Sequence, residues 1–166
     1  MSNNNSFTAL ERLDLSNNNL SGDLDLWNNN KLFNLNVENN KLTRVTLSAD
    51  VKPLELNLSR NQLSEFNISS YEDLISADLS DNNLTSIGDL SKSNCNGDDD
   101  DYYGDCYLTE LFLDNNKLKT IGSVSDLVTN GNLQKLSLRG NTGFQCSSLG
   151  LSTEKDVYKN SGCPLK

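Results

Sequence analysis

Eleven positions, written L-x-x-L-x-L-x-x-N-x-L, recur in one frame six times along this chain of 166 residues. The copies begin at Leu10, Leu32, Pro53, Leu74, Leu108 and Leu133, at steps of 22, 21, 21, 34 and 25 residues. The fourth and sixth positions read Leu13/Leu15, Leu35/Val37, Leu56/Leu58, Ala77/Leu79, Leu111/Leu113 and Leu136/Leu138. The ninth is asparagine every time: Asn18, Asn40, Asn61, Asn82, Asn116 and Asn141. Leu20, Leu42, Leu63, Leu84 and Leu118 fill the eleventh, with Gly143 the exception. Such spacing fits neither a helical stripe nor a sustained two-residue alternation. A unit that recurs every 20–30 residues or so cannot bury its apolar side alone and does so by stacking on its neighbours, which is a solenoid.

The physics of the frame follows from its short L-x-L segment. In a strand the two leucines point to one face and the residue between them to the other, so each copy contributes one strand of a parallel sheet with a spacing of about 4.8 Å. The asparagine suits the bend that follows, because its amide both donates and accepts and can satisfy backbone groups turned away from water. Stacked copies should form an asparagine ladder. Three positions beyond the eleventh, Val45, Phe66, Ile87 and Ile121 supply a further apolar row.

The frame resembles that of the leucine-rich repeat family from residue 10 to about 144. The resemblance implies an α/β-class solenoid that is mostly β, with about six short parallel strands on a concave face. Units of 21 or 22 residues leave little room for a helix on the return path, so extended or 3₁₀ turns are expected on the convex face. The chain then divides into an N-terminal edge at 1–9, the repeats at 10–144 with an insertion at about 91–107, and a C-terminal cap at 145–166.

The insertion, "SKSNCNGDDDDYYGDC", carries Cys95 and Cys106, and the tail carries Cys146 and Cys163. Four cysteines allow three connectivities. Local pairing, Cys95 with Cys106 and Cys146 with Cys163, closes one loop in the insertion and one across the tail, and implies an oxidising compartment. The competing reading is four reduced thiols in a cytosolic protein. The tail, Gly140-Asn141 through Cys146 and on to Cys163, is also similar to the cysteine-bearing C-terminal cap of extracellular leucine-rich repeat proteins.

Composition narrows the partners. With 14 basic and 23 acidic residues the formal net charge is -9, which disfavours a phosphate-tracking groove for nucleic acid and favours a basic partner or a cation. No apolar run approaches the ~20 residues of a membrane-spanning helix, so no direct membrane insertion is expected. The opening "MSNNNSFTAL" lacks the charged and apolar regions of a secretory signal, so the chain either stays inside a cell or has lost a leader. No histidine is present, and neither Ser-His-Asp nor Cys-His chemistry can be assembled. The sequence is read as non-enzymatic, with no cofactor.

Function is therefore sought on the strand face. Its central outward column is Asp14, Asn36, Asn57, Asp78, Phe112 and Ser137, flanked by Glu55, Glu110 and Lys135 before it and by Asp114 and Arg139 after it. The resemblance implies that this face binds a partner, expected to be a protein or glycoconjugate, in a secreted or cell-surface receptor or adhesin. An intracellular scaffold is the alternative. Phe112 is the one apolar residue in that column and reads as an interface anchor or as packing under the insertion. Tyr102 and Tyr103 offer a second contact patch. Asp99, Asp101, Gly104 and Glu110 fall at positions 1, 3, 6 and 12 of an EF-hand-like calcium loop, against which a solvated acidic loop is the plainer reading. Sequons at Asn4, Asn19, Asn57, Asn67 and Asn83 arise almost by construction from the repeat.

Overall fold

A computed structural model describes residues 8–48, 50–92, 107–129, 132–152 and 156–163. In chain order its strands and α-helices are β1 (Arg12–Asp14), β2 (Ser21–Leu26), β3 (Asn34–Asn36), β4 (Lys41–Leu47), β5 (Glu55–Asn57), β6 (Ser76–Asp78), β7 (Glu110–Phe112), α1 (Ser125–Thr129), β8 (Lys135–Ser137) and α2 (Asp156–Asn160). Six of the strands, one per copy of the frame, form a parallel sheet in the order β1-β3-β5-β6-β7-β8. They stack without slippage: the fourth positions Leu13, Leu35, Leu56, Ala77, Leu111 and Leu136 lie opposite one another in turn. The fold is a leucine-rich-repeat-like solenoid, mostly β, as the spacing required.

On the convex side β2 pairs with β4 in a second, two-stranded parallel sheet. Later coils return in extended conformation, with a 3₁₀ turn at Leu90–Lys92. The expectation of extended or 3₁₀ turns needs one addition: the 25-residue unit has room for a single turn of α-helix, α1, which buries Leu127. Between the two sides lies one continuous core. Inward leucines and valines of the strands meet Val45, Phe66, Ile87 and Ile121 from the convex side, all buried.

The asparagine ladder is present in atomic detail. Asn61 donates from Nδ2 to the carbonyls of Val37 in the preceding coil (2.9 Å) and Leu58 in its own (3.2 Å), while its Oδ1 accepts the Leu42 N–H at 3.0 Å. Asn40, Asn82, Asn116 and Asn141 repeat this pattern, and all five are buried. Asn18, in the first coil, is exposed and, among the described residues, bonds to its own turn alone, to the Leu15 and Ser16 carbonyls. Immediately before each ladder asparagine the backbone turns left-handed, at Asn17, Asn39, Arg60, Asp81 and Asn115 with φ of 53–56° and at Gly140 with φ 76°. Asparagine, aspartate and glycine tolerate that conformation, whereas Arg60 takes it against its steric preference.

The C-terminal tail finishes the stack by imitating a seventh coil. In each earlier junction the sixth-position N–H donates to the fifth-position carbonyl of the next coil, as Leu58 does to Asp78 and Leu113 to Ser137. Leu138 donates in the same way to the Ser161 carbonyl at 2.7 Å. Ser161 and Cys163 are buried, α2 packs on β8, and a Cys146–Cys163 disulfide with a Cα separation of 5.8 Å pins the segment. The other expected pair, Cys95 with Cys106, lies outside the described residues.

Candidate functional site

The concave face is two rows of side chains laid down by the strand register. The lower row is Arg12, Asn34, Glu55, Ser76, Glu110 and Lys135; the upper is Asp14, Asn36, Asn57, Asp78, Phe112 and Ser137. Beyond the upper row follow Glu38, Asp114 and Arg139. All of the expected face residues therefore share one surface, with acids at its centre and cations toward its ends.

Four upper-row residues carry a structural duty that their polarity alone does not reveal. Asp14 Oδ1 accepts the Ser16 N–H at 2.9 Å, Asn36 Oδ1 that of Glu38 at 3.1 Å, Asn57 Oδ1 that of Ser59 at 3.2 Å and Asp78 Oδ1 that of Ser80 at 3.0 Å. Each is a side-chain turn that stiffens the exit from its strand. The backbone N–H of Ser16, with its hydroxyl, holds the Asp14 carboxyl below the ordinary aspartate range. In the sixth coil the duty moves: Asp114 from the fifth coil accepts the Arg139 N–H at 2.7 Å and the Ser137 hydroxyl.

Phe112 breaks the series. It has no acceptor to offer its own turn, and it stands half-buried on the open face. Around it the concave surface dips into a depression of about 550 Å³, bordered by Glu55, Asn57, Ile75, Asp78 and Glu110. Glu55 accepts from Asn34 Nδ2, Glu110 is paired to Lys135 Nζ at 2.6 Å, and Glu38 to Arg60 at 3.4 Å. Partners thus hold the acid side chains without covering the depression.

Sequence reasoning missed one apolar row. Phe33, Leu54 and Ile75 occupy the second position of three successive copies, along the lower edge of the same face. Phe33 and Leu54 are half-buried, Ile75 is 36% exposed, and the Arg12 guanidinium sits 5.1 Å above the Phe33 ring. The signal was available in "LF", "PL" and "LI" at the head of each frame, one position ahead of the outward columns. Trp27, 58% exposed, and Tyr107, 41% exposed, are further surface aromatics that the frame did not single out.

Tyr102, Tyr103, Asp99, Asp101 and Gly104 lie outside the described residues. Glu110, the twelfth position of that calcium reading, is engaged on β7 by Lys135. Among the described residues no group of three or more carboxylates or cysteines is placed to hold a metal ion. No helix among them is long and apolar enough to cross a membrane.

No protein-family profile matches the chain, and no curated protein sequence does. Among solved structures it is similar to the functional domain of InlJ from Listeria monocytogenes, a domain that includes a cysteine ladder. The two superpose with a TM-score of 0.52 at 24% identity, over 86% of this chain and 33% of that one. The likeness is one of fold, and this chain spans about a third of the length of that chain.

Proposed function

We propose that this chain is a non-catalytic recognition module that binds a protein partner through its concave face, centred on Phe112. The observation that carries the reading is the break in the upper row. At Asp14, Asn36, Asn57 and Asp78 the column supports the fold through turn bonds, while Phe112 forgoes that support and sets a half-buried ring at the wall of a depression. An aromatic ring with no turn to hold, set in a polar and acidic surround, has the make-up of an interface anchor. The fold's own architecture supports it, since a solenoid offers a long rigid face and little enclosure from water.

The Cys146–Cys163 bond supports placement outside the cytosol, in a secreted or cell-surface protein. Alkylation of the natively purified chain before and after reduction tests that placement: four thiols that react at once point to the intracellular scaffold instead. For the face itself, the immobilised chain is screened against displayed protein libraries and glycan arrays. Phe112→Ala should weaken any captured protein at least tenfold, and Glu65→Ala on the return path should leave it unchanged. Equal capture by both variants, or capture of glycans alone, removes the reading.

A further inference from the structure

Ser76 is the smallest side chain of the lower row and lies between two glutamates. Glu55 is its neighbour on β5 and Glu110 its neighbour on β7, two strand spacings apart, so about 10 Å separates their backbones across the serine. Asp78, two residues along the same strand, faces the same side, and Ile75 lies just before the strand on the lower edge. Phe112, next to Asp78 on β7, closes the upper corner. The result is a notch with three carboxylates around it and apolar surface at two of its corners.

What already holds those carboxylates matters. Asn34 bonds Glu55 from the β3 side and Lys135 bonds Glu110 from the β8 side, so each is tethered from outside the notch and keeps oxygen lone pairs for a second partner. The row between them contains only Ser76, and the lysine lies beyond Glu110. One ammonium against three carboxylates leaves the notch negative, within a chain of net charge -9 that steers cations toward it.

We infer that this notch receives an arginine side chain carried on an extended segment of the partner protein with an apolar residue two positions to either side of it. Arginine fits better than lysine because its planar fork offers five donors and can serve two carboxylates at once. In an extended segment, residues two before and two after the arginine face the same way, which sets apolar side chains against Ile75 and Phe112. The inference rests on the recognition reading above and adds to it the chemical class of the partner.

The test uses the full isotopically labelled chain and a blocked pentapeptide, leucine-threonine-arginine-threonine-leucine, followed by amide shifts. Citrulline in place of arginine gives a neutral isosteric control. The arginine peptide should move the Ser76, Asp78 and Phe112 amides, bind roughly tenfold more tightly than the citrulline peptide, and weaken as salt rises. Ser76→Leu, which fills the notch on an open face, and the paired Glu55→Gln and Glu110→Gln variant should each abolish the difference. Equal binding of both peptides, shifts centred elsewhere, or no shifts at millimolar peptide overturn the inference. The two readings separate in partner capture. Loss with Phe112→Ala but not with Ser76→Leu or the glutamine pair sinks the arginine notch and keeps the recognition face; no loss with any of them sinks both.

Discussion

A buried ladder asparagine and an exposed one do different work from the same place in the repeat. Asn61 satisfies the Leu42 N–H and the Val37 and Leu58 carbonyls at once, none of which can reach water. Asn61→Ala should therefore cost about 3 kcal/mol in urea denaturation, since it leaves buried groups unpaired. Asn18→Ala should cost within about 0.5 kcal/mol, because its carbonyls sit in an exposed turn. Equal losses would mean that the ladder bonds are not the source of the stability. Asp14 gives a pH signature. Its carboxyl is held below the ordinary range by the Ser16 N–H, so its ionised form stabilises the fold above the unfolded aspartate value of about 3.9, and that contribution fades as pH falls through the lower folded value. Asp14→Asn, which keeps an acceptor as Asn36 does toward Glu38, should hold neutral-pH stability and lose less of it between about pH 5 and pH 2 than the parent chain. Urea midpoints across that range read it out, and parallel curves for the two proteins would show the Ser16 bond to be unimportant. The ladder was legible because asparagine recurs at one fixed place. The turn bonds of Asp14 and Asn36 were not, because a solvated polar residue and a turn-capping one look alike in sequence.

Strands of three residues are too short to persist alone, and here each is defined by the coil on either side. That explains why the strands could be located from L-x-L to within one residue, each running over the third to fifth positions rather than the fourth to sixth, while the convex side could not. Pairing on the concave face is imposed by six repeats of one motif, whereas β2 and β4 pair on the return paths of the first two coils alone, and among the described residues the third unit, as long as the second, adds no strand to them. The helix α1 depends on the extra residues of its own unit, which reveal only that space exists. The last strand is the instructive case. β8 would be an open edge, but Ser161 accepts the Leu138 N–H and the disulfide fixes the tail that carries it. Cys146 and Cys163 were visible as a pair closing the tail; that the tail would copy the fifth position of a coil was not, since "NSGC" shares no residue pattern with the repeat. Replacing both cysteines with alanine should cost about 3 kcal/mol for a loop of this length. In hydrogen exchange the Leu138 amide should lose protection before those of Leu113 or Leu79. Uniform loss along the chain would show that the bond does not act through the cap.

At the scale of the molecule the two ends are unequal, and a chain whose coils touch only their neighbours should show it in its energetics. Leu13 and Leu15 of the first coil are half-buried and Leu20 is 37% exposed, while Leu79, Leu84, Leu111 and Leu113 in the middle are completely enclosed. At the far end Leu136 and Leu138 are again buried, under the cap. Removing side-chain volume costs most where the surroundings cannot relax and water cannot enter. Leu79→Ala should accordingly cost about 3–4 kcal/mol and Leu15→Ala about 1 kcal/mol, although the two occupy the same position of the frame. The asymmetry also orders local opening: amide protection should rise from β1 through β3 and β5 to a plateau over β6, β7 and β8. Reduction of the Cys146–Cys163 bond should add a second soft end at β8 and leave the plateau in the middle. Since the arginine notch and Phe112 lie on β5, β6 and β7, the proposed binding surface sits at the start of that plateau and away from both ends, and binding there should survive fraying of either end. Native-state hydrogen exchange on the oxidised and reduced chain measures the gradient directly. Protection that is flat from β1 to β8, or a Leu15→Ala loss equal to that of Leu79→Ala, would mean that the coils unfold as one cooperative block rather than from the first coil inward.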